Sequence, residues 1–119
     1  MVEDVLVLQR PALCTLEEIA GRIRAPLERA GVLRAVAFGS YSRGEADAWS
    51  DLDLAVVLDT ELPRAERGNL LAETVSAVTI GVDLLVYTPD EWREGMERGV
   101  GVFDALAREG VTLYERAPD

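Results

Sequence analysis

The chain has 119 residues, 49% of them apolar, and a net charge of −10. That bounds it to one small globular domain and argues against a stand-alone nucleic-acid binder, because an acidic surface repels phosphate backbones. It contains no histidine, no lysine and one cysteine, Cys14, which excludes a Ser-His triad, histidine-ligated zinc, a P-loop lysine, a thiolate zinc cluster and an intrachain disulfide.

Residues 1–12 read as an extended or β segment. Their opening, MVEDVLVLQR, puts acids before a short apolar run, the wrong polarity for a signal peptide. No run approaches the roughly 18 apolar residues of a membrane span, so no membrane association and a cytoplasmic location are expected. Thr15 and Glu18 form a capping box. Behind it, Leu16, Ile19, Ala20, Ile23, Leu27 and Ala30 follow helical spacing, with Gly31 as the stop. Pro26 is expected to kink this helix or to start a second segment. Val32 to Phe38 reads as a strand ending at Gly39-Ser40, and a short helix is expected after the serine, up to about Ala46. Leu52 to Leu58 is the second strand, and its unbroken apolar run from Leu54 implies burial on both faces.

Pro63 and Arg64 open a helix expected to end near Ile80, with Gly81 as its stop and Gly68 awkwardly inside. Val82 to Tyr87 is the third strand. Thr88-Pro89-Asp90-Glu91 combines an N-cap, an N1 proline and a capping glutamate, a well-marked helix start. A helix near Phe103 to Arg108 stops at Gly110, and Val111 to Tyr114 closes the chain as a strand. This alternation predicts a single layered α/β (α+β) domain over residues 1–119, with a mixed β-sheet flanked by helices.

The chemistry concentrates in VAFGSYSRGEADAWSDLDLAVV, residues 36–57. Side chains alternate along a strand, so Asp51 and Asp53 project to one side while Leu52 and Leu54 project to the other. Two like charges that close resist joint ionisation, and a divalent cation reverses that penalty. Mg²⁺ prefers oxygen ligands and is commonly held by a few carboxylates plus phosphates and water. Two such ions about 3.5–4 Å apart clamp the attacking and leaving oxygens of a phosphoryl displacement. Asp83, opening VDLLVY, offers a third acid from the next strand. A lone D-x-D is more often a solvated strand end. Gly39 allows close backbone approach to a ligand, Ser40 offers a hydroxyl to a phosphate oxygen, and Arg43 offers a charged donor. Each of these alone is equally an ordinary turn, with Ser40 as a cap and Arg43 in solvent. Trp49 and Tyr41 flank the site, either as base contacts or as packing. The conjunction carries the weight: Gly-Ser after one strand, Asp-x-Asp opening the next, an acid opening a third.

The run GSYSRGEADAWSDLDLAVV matches G-S-x(10)-D-x-D and resembles the signature of the nucleotidyltransferase superfamily that includes DNA polymerase β. Chain length points to its smallest branch, the minimal nucleotidyltransferases (MNT), and the likeness runs from about Thr15 to Arg116, including the closing EGVTLYER. The resemblance implies that Gly39 and Ser40 bind the triphosphate of ATP. It further implies that Arg43, which with Gly44 matches the family's R-G beside them, also binds the triphosphate, and that Asp51, Asp53 and Asp83 are the catalytic acids and ligands of two Mg²⁺ ions. It also implies a setting: such proteins are often antitoxins that attach AMP to a tyrosine of a HEPN-family toxin. The alternatives are an antitoxin whose turnover is unimportant, and a small-molecule transferase of the aminoglycoside-modifying kind.

Overall fold

The computed structural model describes residues 14–117, so the extended segment expected over residues 1–12 lies outside the described residues. The described chain runs α1 (Leu16–Ala30), β1 (Arg34–Phe38), β2 (Leu52–Val57), a 3₁₀ segment (Arg64–Leu71), α2 (Ala72–Ser76), β3 (Val82–Tyr87), α3 (Pro89–Arg98), α4 (Val102–Glu109) and β4 (Val111–Glu115). The four strands form one sheet in the order β3-β2-β1-β4. β2 and β3 are parallel, whereas β1 is antiparallel to both β2 and β4. The sheet is therefore mixed, as expected.

Helix α1 starts where Thr15 Oγ1 accepts from the Glu18 N–H at 3.1 Å. It ends at Gly31, whose φ of 78° is the left-handed conformation that glycine adopts without a Cβ penalty. Ile19, Ile23 and Leu27 recur every four residues and are 0–1% exposed, so this face lies fully in the core. Pro26 does not split the helix. It sits on that same buried face near the C-terminal end, where packing onto the sheet outweighs the missing N–H.

Alternation along the strands makes two cores. Ala35 and Ala37 of β1, Leu52, Leu54 and Val56 of β2, and Val86 of β3 pack with α1, Leu71 and Val78 on one face. Val36, Ala55 and Tyr87 project to the other face and pack with Leu106, Trp92 and Phe103 of α3 and α4. Gly95 makes room there: a Cβ would stand 2.2 Å from Phe103 Cζ. Both faces of β2 are buried, as its apolar run implied.

Two expected helices are not formed as read. Residues after Ser40 make a single tight turn, with the Arg43 N–H bonding the Gly39 carbonyl at 3.1 Å and the Glu45 N–H the Ser40 carbonyl at 2.9 Å. Gly44, at φ 74°, ends it. The segment expected to be one helix from Pro63 to near Ile80 is instead the 3₁₀ stretch followed by the five-residue α2. Tertiary contacts decide its shape. Arg67, only 6% exposed, donates to the Leu62 carbonyl at 2.8 Å and the Val86 carbonyl at 3.0 Å. Its guanidinium also forks onto both oxygens of Glu91. Glu91 closes the Thr88 capping box at the start of α3, so one buried cation ties the 3₁₀ segment, β3 and α3 together. The hydrogen bond from Arg67 holds the Glu91 carboxyl below its ordinary range, against the opposing effect of burial.

Candidate active site

The acids lie on the face covered by α3 and α4, at the end of the sheet where the parallel strands begin. Asp53 and Asp83 are direct partners in the β2–β3 register, and Phe38, the residue before Gly39, is the antiparallel partner of Asp53. Neighbouring parallel strands thus carry two carboxylates side by side, with Asp51 two residues upstream on the same side. Asp51 and Asp83 are exposed and Asp53 is half-buried. Leu52 and Leu54, pointing oppositely, are 0% and 1% exposed. Burial of the intervening leucines is what aims the acids outward.

Burial raises the Asp53 carboxyl above its ordinary range, the charges of Asp83 and Asp51 raise it further, and Arg43 opposes them. Gly39, at φ 74°, seats its turn directly on this acid: a Cβ there would stand 2.1 Å from Asp53 Oδ2. Gly81, read from sequence only as a helix stop, does the same for Asp51, with a Cβ standing 2.2 Å from Asp51 Oδ1. Its carbonyl also accepts the Leu52 N–H at 2.8 Å.

The turn itself is held by a residue that sequence reading missed. Glu109, the last residue of α4, directs Oε2 at three donors: the Gly39 N–H at 3.1 Å, Ser42 Oγ at 3.3 Å and Arg43 Nη1 at 2.8 Å. Burial works to raise its carboxyl, but the hydrogen bond and charge of Arg43, with Ser42 and the Gly39 N–H, outweigh it and hold the group below its ordinary range. The sequence carried one hint. A carboxylate in the last turn of a helix faces the negative end of the dipole, so it needs a partner elsewhere. Arg43 also pairs with Glu45 at 2.8 Å, so its guanidinium is engaged on two sides. Ser40 is half-buried within the turn. Because the turn does not continue into a helix, no helix dipole aids anion binding there.

The segment leading into Asp51 is similarly fixed. Asp47 Oδ1 accepts from the Trp49 N–H at 2.9 Å and from Ser50 Oγ at 3.1 Å, and Ser50 Oγ accepts the Asp47 N–H at 2.9 Å. Trp49 is 63% exposed, whereas Tyr41 is buried in the main core and is not presented to a ligand. Its burial, with the nearby Cys14, Asp47 and Asp51, raises the phenol above its ordinary range.

Among the described residues no three acidic side chains form a ready-made metal cage. The donor set fits an open site instead: two register-paired carboxylates and a third beside them, with the remaining positions of an octahedral Mg²⁺ left for phosphate and water. A cavity of about 450 Å³, lined by Leu33, Arg34, Val57, Pro89 and Trp92 among others, lies at the opposite end of β2.

A family model described as a nucleotidyltransferase domain matches residues 16–111. The chain belongs to this nucleotidyltransferase family. Among solved structures, this nucleotidyltransferase is similar to a protein described as a minimal nucleotidyltransferase, with TM-score 0.57 and 27% identity over 84% of this chain and 97% of that one. It is similar, with TM-score 0.57 and 24% identity, to a chain of a toxin–antitoxin structure with AMP-PNP, over 82% of this chain and 73% of that one. A third likeness is to a chain of the tri-AMPylated Shewanella oneidensis HEPN toxin in complex with MNT antitoxin. There the TM-score is 0.54 and the identity 21%, over 86% of this chain and 74% of that one. The last two likenesses establish the nucleotidyltransferase fold. No curated protein sequence matches significantly. No helix among the described residues is long and apolar enough to cross a membrane.

Proposed function

We propose that this nucleotidyltransferase moves AMP from ATP to a hydroxyl group in a Mg²⁺-dependent reaction, the hydroxyl oxygen bonding to the α-phosphorus as pyrophosphate leaves, with Asp51, Asp53 and Asp83 holding the metal and Gly39 and Ser40 holding the triphosphate. The observation that carries the reading is the register pairing of Asp53 with Asp83 beneath a glycine turn with no room for a side chain. When bound, two Mg²⁺ ions would supply charge neutralisation at the attacking and leaving oxygens. The chain's own residues do the rest. Asp53, paired in register with Asp83 and two residues from Asp51, would hold metal together with both, and Asp83 would help accept the proton of the incoming hydroxyl. Gly39 lets the backbone approach the phosphates, Ser40 donates its hydroxyl to a phosphate oxygen, and Arg43 lends positive charge near Asp53. Catalysis then rests on positioning and charge, as in other phosphoryl transfers.

The acceptor is proposed to be a tyrosine of a HEPN-family partner, and the chain its antitoxin, acting in the cytoplasm. The similarity to chains from toxin–antitoxin complexes, one of them tri-AMPylated, supports this reading. So does the charge of −10, which disfavours a nucleic-acid acceptor and stable nucleic-acid binding. The test is incubation with α-labelled ATP and Mg²⁺, offering either the product of the adjacent gene or total RNA. AMP added to the partner protein, seen by intact mass, is expected. Label found only at RNA 3′ ends would refute the acceptor while leaving the transferase reading standing.

A further inference from the structure

We infer that Glu109 is a positioning residue for nucleotide binding: it presets the Gly39–Gly44 turn and holds Arg43 back against α4, so that Arg43 acts through Glu109 and not as an independent ligand of the triphosphate. The inference rests on the nucleotidyltransferase reading of that turn. One carboxylate oxygen receives three donors from a five-residue stretch: the Gly39 N–H at 3.1 Å, Ser42 Oγ at 3.3 Å and Arg43 Nη1 at 2.8 Å. The side chain of Glu109 is 16% exposed, against 45% for Arg43, so the pair is anchored from the α4 side. The turn cannot be fixed by regular structure, since it is a single turn between β1 and an irregular stretch. Its one glycine against Asp53 leaves no side chain to lock it. Glu109 supplies that lock from 66 residues away in sequence, and Gly110 allows the approach. A Cβ at Gly110 would stand 2.4 Å from the Leu106 carbonyl oxygen and 2.8 Å from Val36 Cγ1, so α4 stops there and comes down close on β1.

A carboxylate held this way leaves Ser40 and the open side of the turn for the phosphates. Glu109 touches no reacting atom, which is why its test separates preorganisation from stability. Mg–ATP affinity is measured by calorimetry, and Gly39 amide exchange by NMR, for the wild type, Glu109→Ala, Glu109→Gln and Thr88→Ala. The last removes a helix cap remote from the turn and serves as the stability control. Glu109→Ala is expected to speed Gly39 exchange and weaken Mg–ATP binding roughly 10-fold or more, the worth of one charge-assisted hydrogen bond. Glu109→Gln, which keeps an acceptor for Gly39 and Ser42, falls between, and Thr88→Ala binds as wild type. Arg43→Ala combined with Glu109→Ala is expected to lose no more than the larger single variant, because the two act as one unit. Wild-type affinity in Glu109→Ala, affinity that merely tracks melting temperature across all variants, or additive losses for Arg43 and Glu109 would each overturn the inference. A wild-type chain that binds no Mg–ATP overturns the function reading itself, and with it this one.

Discussion

Replacing Gly39 by alanine separates the site's geometry from the fold's stability. The new methyl carbon would stand 2.1 Å from Asp53 Oδ2, well inside contact distance, and the backbone there is at φ 74°. An L-residue in the left-handed region costs about 1–2 kcal/mol, and pushing the Asp53 side chain off its rotamer adds about 0.5–1.5 kcal/mol. The sum, about 1.5–3.5 kcal/mol, lowers the melting temperature by roughly 6–14 °C for a domain of this size. The protein stays folded, but the central carboxylate is swung away from Asp83. Transfer of AMP should therefore fall as far as in Asp53→Asn, which loses the charge without the strain. Gly81→Ala is the companion: its Cβ would stand 2.2 Å from Asp51 Oδ1, with no left-handed backbone to strain, so activity falls with a smaller thermal cost. Melting curves and transfer rates on the same samples decide the matter. If Gly39→Ala loses stability but transfers AMP at the wild-type rate, Asp53 is not at the reacting centre and the argument fails.

Two further perturbations probe charge and scaffold. Asp53 has its folded carboxyl raised by burial and by its acidic neighbours, so its contribution to stability is present below the unfolded value and is lost as pH rises through the folded one. At neutral pH without divalent cations, Asp53→Asn should melt higher than the wild type. The gap should close in acid, and added Mg²⁺ should raise only the wild type; an unchanged melting temperature in all conditions would contradict this. At Arg67, whose side chain is 8% exposed, substitution by alanine takes from Glu91 its shortest ion pair, leaving it the Thr88 N–H and Arg64, and strands two carbonyls. It should cost about 2–3 kcal/mol in denaturant unfolding. Because the Glu91 carboxyl is held low, that stabilisation is present above the unfolded carboxylate value and is lost as pH falls through the folded one. A loss under 1 kcal/mol would remove the cation from its assigned role.

The strands and the acid placement were legible because they rest on short-range rules. Alternation set Leu52 and Leu54 against Asp51 and Asp53, and the capping residues of Thr88-Pro89-Asp90-Glu91 placed α3. What was not legible depends on distant partners. Nothing near Arg67 announces that it will take Val86 and Glu91 and bend the expected helix into a 3₁₀ stretch. The turn after Ser40 stays a turn because Glu109 satisfies its donors from the far end of α4. Gly81 looked like a helix stop because the neighbour it accommodates, Asp51, lies 30 residues away, just ahead of β2.

The central claim is that the β2 and β3 acids and the glycine–serine turn form one nucleotide site, and a crystal structure with Mg²⁺ and a non-hydrolysable ATP analogue tests it directly. The triphosphate is expected against Gly39 and Ser40, with metal bound between Asp53 and Asp83 and in contact with Asp51. A nucleotide seated instead in the cavity lined by Arg34 and Trp92 at the opposite end of β2, with no metal on the acids, would contradict the account.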